Sequence, residues 1–191
     1  SIQRPYHSQD RISVGIRALW SDLDVDAATL VGWHRGVVVE QDAALSSTSL
    51  SVTDGGRDEG ASLQVYGGDA AIDSLDTSSA EHGIDLLAGS AHIGAWTAAN
   101  HRDHTLAMAD GTTAVIRSLP AFATNGPYDA FGDGSLLWGG STSARVQVTS
   151  ADHLTESTVT VTDLSAVVVP DVTVTAHGFT ATTDASGQVT L

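Results

Sequence analysis

The sequence predicts an all-β protein, an antiparallel β-sandwich or jelly roll with about ten short strands. Valine and threonine alternate near the C-terminus, at Val159 and Val161 and again over residues 172–176, and this two-residue period places one row of methyl groups on one face. Turns rich in glycine and aspartate separate the strand-like stretches at intervals of roughly 8 to 20 residues. The most helix-like stretch contains Gly89 and Gly94, each of which would cost about 1 kcal/mol inside a helix.

The predicted organisation is a short N-terminal arm at residues 1–10 followed by a single β-sandwich or jelly-roll domain at residues 11–191, with a sub-boundary near residue 150. The arm has no hydrophobic period, because Pro5 and several polar residues interrupt it. Residues 11–20 are the first predicted strand, since apolar side chains alternate along it. A parallel α/β fold is excluded, because no crossover helix is available to join parallel strands.

The middle of the chain supplies further strands. Residues 29–40 read as one long strand bent at Gly32 or Gly36, or as a strand pair. Residues 46–53 and 62–66 flank a charged, glycine-rich loop, and this arrangement predicts a hairpin with an exposed tip. The other predicted strands before the C-terminal segment are residues 84–98, with bends at their glycines, and residues 112–118, 135–138 and 145–149.

The C-terminal segment carries the clearest strand pattern. Pro170 lacks a backbone N–H and so marks a strand end or edge, while residues 184–187 supply a turn. Over residues 161–163, 169–178 and 182–191, the segment resembles the carboxypeptidase-regulatory-like and bacterial immunoglobulin-like repeats of extracellular proteins. The resemblance of residues 159–191 implies a small β-sandwich that acts as a spacer or interaction module and has no active site.

The composition indicates adaptation to high salt. The chain has a net charge of -15, no cysteine, and eight basic residues that are all arginine, whereas most of its 23 acidic residues are aspartate. Aspartate holds water tightly on a short side chain, and lysine would expose a long aliphatic stem that high salt drives into association. An acidic mesophilic protein with little lysine is the alternative. At molar ionic strength the Debye length is about 3 Å, so most of the repulsion is screened.

Composition also excludes some classes of partner. An acidic chain without a basic run has nothing to bind a phosphate backbone, so no nucleic-acid partner is expected. No apolar run reaches the roughly 18 residues of a transmembrane helix, and the N-terminus has no signal-peptide pattern.

Two groups of residues are candidate metal ligands. Asp22, Asp24 and Asp26 alternate with apolar residues in a way that suggests a calcium loop, although the glycine and the closing glutamate of that loop are missing. The densest group of reactive side chains is formed by His92, His101, Arg102, Asp103 and His104, with His82 and Asp85 upstream. Within it His101 and His104, three residues apart, and Asp103 suit a transition metal. No cofactor is predicted beyond a structural calcium or other cation, and surface placement of both groups is the alternative.

No catalytic motif is present. His-Arg-Asp at residues 101–103 spells the start of a kinase catalytic loop, but the glycine-rich loop, the strand lysine and the Asp-Phe-Gly motif that accompany it are missing. The nucleophile elbow of serine hydrolases is also missing. A triad assembled in three dimensions remains an open alternative, and paired carboxylates for glycoside cleavage cannot be picked out among 23 acids.

The four tryptophans are the most useful large side chains in a chain with few aromatics. They either anchor the core or lie at a subunit interface, where aromatic residues concentrate. The interface candidates are Trp20, Trp33, Trp96 and Trp138.

These observations predict a non-enzymatic structural subunit of an extracellular assembly in a halophile, in the form of a virion capsid or shell protein. In size, predicted β content and acidity the chain is similar to the single-jelly-roll capsid proteins of haloarchaeal viruses. The expected partners are copies of itself and other shell or surface proteins, in a homo- or hetero-oligomer. The alternatives are a cell-surface, adhesin-type immunoglobulin-like binding module and a secreted hydrolase.

Overall fold

A computed structural model describes residues 2–3, 13–53, 60–155, 157–176 and 179–190. Within these residues the chain forms strands and turns and no helix, so none of them belongs to a helix able to cross a membrane. The strands are β1 (Ile2–Gln3), β2 (Val14–Leu19), β3 (Leu23–Val31), β4 (Arg35–Glu40), β5 (Ala44–Thr53), β6 (Ala61–Ser78), β7 (His82–Ala99), β8 (His104–Met108), β9 (Thr113–Leu119), β10 (Ala130–Gly140), β11 (Val146–His153), β12 (Thr158–Thr160), β13 (Thr173–Ala176), β14 (Phe179–Thr182) and β15 (Gln188–Thr190).

The main body is a parallel β-solenoid of about six turns, and the predicted antiparallel sandwich or jelly roll is wrong. Strands β1 to β11 belong to one sheet in which every pairing is parallel. Strands β2 and β3 form the first coil, β4 and β5 the second, β6 the third, β7 the fourth, β8 and β9 the fifth, and β10 the sixth. In a solenoid the rest of each coil brings the chain back, so parallel strands need no crossover helix.

Two ladders of aligned residues form the two faces of the solenoid. On the first face, Ile16, Val37, Leu63, Ile84, Leu106, Ala130 and Val146 occupy one rung each. On the second face the corresponding row is Leu23, Leu45, Ala70, Ala91, Ala114, Leu136 and Ala151. The inner members of both rows belong to a single hydrophobic cluster. Because each coil stacks its apolar side chains on those of the next, the core is continuous along the solenoid.

The chain passes between the two faces at two corners, where the backbone is left-handed. At the first corner the residues with positive φ include Trp20, Gln41, Gly67, Gly89 and Gly111, and at the second they include Gly32, Ser79, Asn100 and Phe122. Successive members are mostly 21 or 22 residues apart. A single residue with positive φ turns a strand sharply, so these positions set the length of the coil.

Strand positions were therefore predicted better than strand pairing. The stretches 46–53 and 62–66 do lie in adjacent strands, but β5 and β6 pair in parallel and not as a hairpin. The predicted N-terminal arm at residues 1–10 lies outside the described residues except for Ile2 and Gln3, and the predicted hairpin tip lies mostly outside them as well. The sandwich fold predicted for the domain at residues 11–191 is wrong, and the bounds of that domain stay a prediction.

The chain divides into two compact units, Ser1–His153 and Leu154–Leu191. In the second unit β12 pairs with β15 and β13 pairs with β14, both antiparallel. The turn before β15 is closed by Asp184, whose Oδ1 accepts hydrogen bonds from the backbone N–H groups of Ser186 and Gln188 at 2.8 and 3.0 Å. The turn predicted at residues 184–187 and the strands predicted around Val159 and over residues 172–176 are present, while the resemblance to extracellular repeats stays a prediction.

Candidate functional site

The candidate site lies where the chain passes from the fourth coil to the fifth. His82 begins β7 and His104 begins β8, and the two residues are partners on adjacent rungs. The backbone N–H of Arg102 donates to the carbonyl of Ala80 at 3.0 Å, and that of Asp103 donates to the carbonyl of Glu81 at 3.1 Å. These bonds align the turn before β8 with the turn before β7, so residues far apart in sequence lie side by side.

His82, Asp103 and His104 form the cluster, and one carboxylate oxygen faces both imidazoles. Asp103 Oδ2 lies 3.1 Å from His104 Nδ1 and 3.5 Å from His82 Nε2. One nitrogen or oxygen atom from each residue lies within 4.8 Å of the others. Asp103 is the most open of the three, with 45% of its side chain exposed, against 23% for His82 and 11% for His104. Solvent can therefore reach the carboxylate while the imidazoles are held by the fold.

An aromatic stack orients the imidazole of His104. Its ring lies almost parallel to that of Phe131, with centroids 4.9 Å apart, and Phe131 stacks in turn on Tyr128 at 5.7 Å. The rings of His82 and His104 are 5.7 Å apart. Burial lowers the pKa of His104, and the neighbouring Asp103 opposes this shift. A ring fixed on one side by an aromatic face and aligned with a carboxylate on the other is suited to binding a ligand.

His101, a predicted ligand, points into the core and takes no part in the cluster. It is fully buried and lies 3.0 Å from the hydroxyl of Thr77, which also accepts a hydrogen bond from Trp96 Nε1 at 3.0 Å. Because the indole can only donate, the hydroxyl hydrogen of Thr77 is left to donate to a neutral His101 ring. Burial lowers the pKa of His101 to about 4. His101 is thus part of the interior, next to the left-handed residue Asn100.

The predicted calcium ligands do not converge. Asp22 precedes β3, and Asp24 and Asp26 lie on its exposed side, each aligned with the next coil. Asp22 Oδ1 accepts from the N–H of Ala44 at 3.3 Å, and Asp24 Oδ1 accepts from the hydroxyl of Ser46 at 2.8 Å. Alternate residues of an extended strand are about 6.6 Å apart, so these carboxylates are spread along the strand instead of gathered around an ion.

The tryptophans divide between core and surface. Trp96 and Trp138 are buried in the hydrophobic cluster, and Trp33 packs against it, so these three rings stabilise the solenoid. Trp20 is 72% exposed and occupies a left-handed position at the first corner. Of the four interface candidates, Trp20 alone is largely exposed.

Sequence reasoning named His82 upstream of the candidate ligands without pairing it with His104, and it did not single out Asp129. His82 enters the cluster because it lies one coil before His104, and only the recurrence of about 22 residues could have paired them. Asp129 was not singled out, yet it is completely buried and bound to Arg145 at 3.1 Å.

Comparison of the chain with family models, curated proteins and solved structures finds no match.

Proposed function

We propose that this chain is a non-enzymatic structural subunit that assembles with copies of itself in an extracellular, high-salt setting, such as a virion or a cell surface. The observation that carries the proposal is a strip of exposed apolar residues on a solenoid whose chain has a strongly negative net charge. The jelly-roll form of the shell hypothesis is set aside, because the fold differs.

The apolar strip runs along the first corner and consists of Trp20, Tyr66 and Leu87. Leu19, which precedes Trp20, is paired with Glu40 in the second coil, and Glu40 is paired with Tyr66 in the third. Tyr66 is paired with Ala88 in the fourth coil, and Leu87 precedes Ala88. Their exposed fractions are 72%, 58% and 36%. Trp20 and Tyr66 lie two coils apart with Glu40 on the coil between them. Exposed aromatic residues support an interaction surface, since they concentrate in the buried centres of interfaces.

The acidic surface supports a high-salt setting. With a net charge of -15, two copies repel each other in dilute buffer, whereas screening to about 3 Å at molar salt removes most of that repulsion. The same salt strengthens the burial of apolar surface. Association through the strip is therefore expected to strengthen as the salt concentration rises.

A cell-surface binding module is the second candidate, and the C-terminal unit favours it. Residues 154–191 contain two antiparallel strand pairs and the aspartate-closed turn that the resemblance to extracellular repeats implies. In that case the chain would bind a different surface molecule and would remain a monomer at every salt concentration.

Size-exclusion chromatography with light scattering at about 3 M and about 0.1 M NaCl tests the proposal. We expect an oligomer at high salt that dissociates at low salt. Trp20→Ser should weaken association at high salt by at least tenfold, because it removes the largest exposed ring. Thr97→Ser, an exposed substitution away from the strip, is the matched control and should leave association unchanged. A monomer at both salt concentrations would contradict the proposal and favour the binding module.

A further inference from the structure

We propose that His82, Asp103 and His104 form a binding site for a divalent transition-metal ion of the zinc class, which ties the fourth coil of the solenoid to the fifth. This site is separate from self-association through the first corner. It lies where β7 begins, close in sequence to Ser79 of the second corner, whereas Gly89 of the first corner lies in the middle of β7.

The distances fit a shared ion. Two ligands that each lie 2.0–2.1 Å from a tetrahedral ion are about 3.3 Å apart. The measured separations from Asp103 Oδ2, 3.1 Å to His104 and 3.5 Å to His82, fall on either side of that value. All three ligand atoms lie within 4.8 Å of one another.

The donor set selects the class of ion. Two imidazole nitrogens and one carboxylate oxygen suit zinc, copper or nickel, whereas calcium and magnesium take oxygen ligands. The stack of His104 on Phe131 fixes one imidazole, as metal sites generally require of their ligands. With three protein ligands and a carboxylate that is nearly half exposed, the fourth position of a tetrahedral ion falls to water.

Binding would cross-link neighbouring coils. His82 belongs to β7, whereas Asp103 and His104 lie at the start of β8, so an ion held by all three adds a tie between rungs that already share backbone hydrogen bonds. A ligand that binds the folded chain and not the unfolded chain raises the melting temperature by mass action. The expected role of the ion is to stabilise the folded solenoid.

Calorimetry tests the site. The full chain is first freed of metal by a chelator and is then titrated with zinc sulfate in sodium sulfate solution. We expect one equivalent to bind and the melting temperature to rise with zinc concentration. His82→Asn and Asp103→Asn should each reduce the affinity at least tenfold and remove the thermal shift. Asp103→Asn keeps the size of a partly exposed side chain, so its fold is expected to be retained, and circular dichroism checks this.

His92→Asn is the matched control, because His92 lies on β7 outside the cluster and should leave zinc binding unchanged. Failure of the wild-type chain to bind zinc at millimolar concentration would overturn the proposal. Equal binding by wild type and Asp103→Asn, or equal competition by calcium, would also overturn it.

Discussion

Asp129 shows how a single buried charge is tolerated in this solenoid. Its side chain is completely buried, and Arg145 donates to it from its backbone N–H at 2.9 Å and from its guanidinium at 3.1 and 3.3 Å. Burial raises the pKa of the Asp129 carboxyl, but the hydrogen bonds from Arg145 outweigh this effect and the net pKa is lowered. Arg145 also donates to the carbonyl of Gly126 at 3.0 Å and lies over the ring of Phe122.

Removing this arginine should strongly destabilise the fold. Arg145→Met leaves the Asp129 carboxylate buried without its main partner, and we expect a loss of about 2–3 kcal/mol in the free energy of unfolding. Arg17→Met is the matched control, since Arg17 is paired with Glu40 on the surface and should cost less than about 1 kcal/mol. Equilibrium denaturation of both variants measures the difference, and equal losses would refute the account of Asp129.

His101 should make the fold sensitive to acid. Burial lowers its pKa from 6.5 to about 4, so the unfolded chain binds a proton below pH 6.5 that the folded chain refuses until about pH 4. The contribution of His101 to the free energy of unfolding is therefore fully present above pH 6.5. It is lost as the pH falls from 6.5 to 4, by about 3 kcal/mol.

Chemical denaturation at several pH values measures this slope. His101→Gln should flatten it between pH 6.5 and 4, while His92→Gln, at a less buried position, should retain it. A pKa for His101 near 6.5, measured by NMR titration, would show that the ring is not held neutral by burial.

The corners decide the geometry of each coil. Gly89 has a φ of +97°, and a Cβ placed there would overlap the backbone carbonyl of Gly68 in the preceding coil. Gly32 has a φ of +77° at the opposite corner, but a Cβ there would meet no atom within 4 Å. The two glycines share a left-handed backbone and differ in the space around them.

This difference predicts that substitution by alanine destabilises the fold unequally at the two glycines. Gly32→Ala should cost about 1 kcal/mol, the strain of a left-handed alanine alone. Gly89→Ala should cost about 3 kcal/mol or more, because two coils must also separate. Thermal unfolding of the two variants distinguishes these values, and a Gly89→Ala variant as stable as Gly32→Ala would show that the coils are not in close contact at that corner.

The positions of the strands could be predicted from the sequence, but the way in which the strands pair could not. Alternation of apolar with polar residues specifies one buried face, and it is the same in a parallel and an antiparallel strand. Glycine and aspartate at breaks were assigned to hairpin turns, although left-handed residues turn a solenoid corner equally well. Trp20, Gln41 and Phe122 take that conformation without being glycine, and so the repeat of the coil is hidden in the sequence.

The candidate site was predicted in part for the same reason. Asp103 and His104 were singled out because they are adjacent and suited to metals. His101 belongs to the same short stretch, but the left-handed Asn100 before it turns the chain, and His101 enters the core. His82 joins the cluster only through the register of the coils, which no local pattern reveals.

At the scale of the whole molecule, the solenoid separates an apolar interior from an acidic exterior. The stacked aliphatic rows supply continuous burial without a disulfide, in a chain that has no cysteine. The apolar strip on the first corner and the His82–Asp103–His104 cluster both exist only because successive coils align in parallel. Parallel alignment is therefore the central claim from which both proposals follow.

Cysteine pairs introduced into this cysteine-free chain test that alignment most directly. Asp76 and Thr97 are exposed partners in adjacent parallel coils, and backbones on neighbouring strands lie about 4.8 Å apart, within the range of a disulfide. A hairpin between the same two stretches, closed at residues 79–81, would instead pair Asp73 with Leu87. We predict rapid disulfide formation in the Asp76→Cys/Thr97→Cys variant and none in Asp73→Cys/Leu87→Cys, as measured by mass spectrometry of the oxidised monomer; the reverse result would contradict the solenoid.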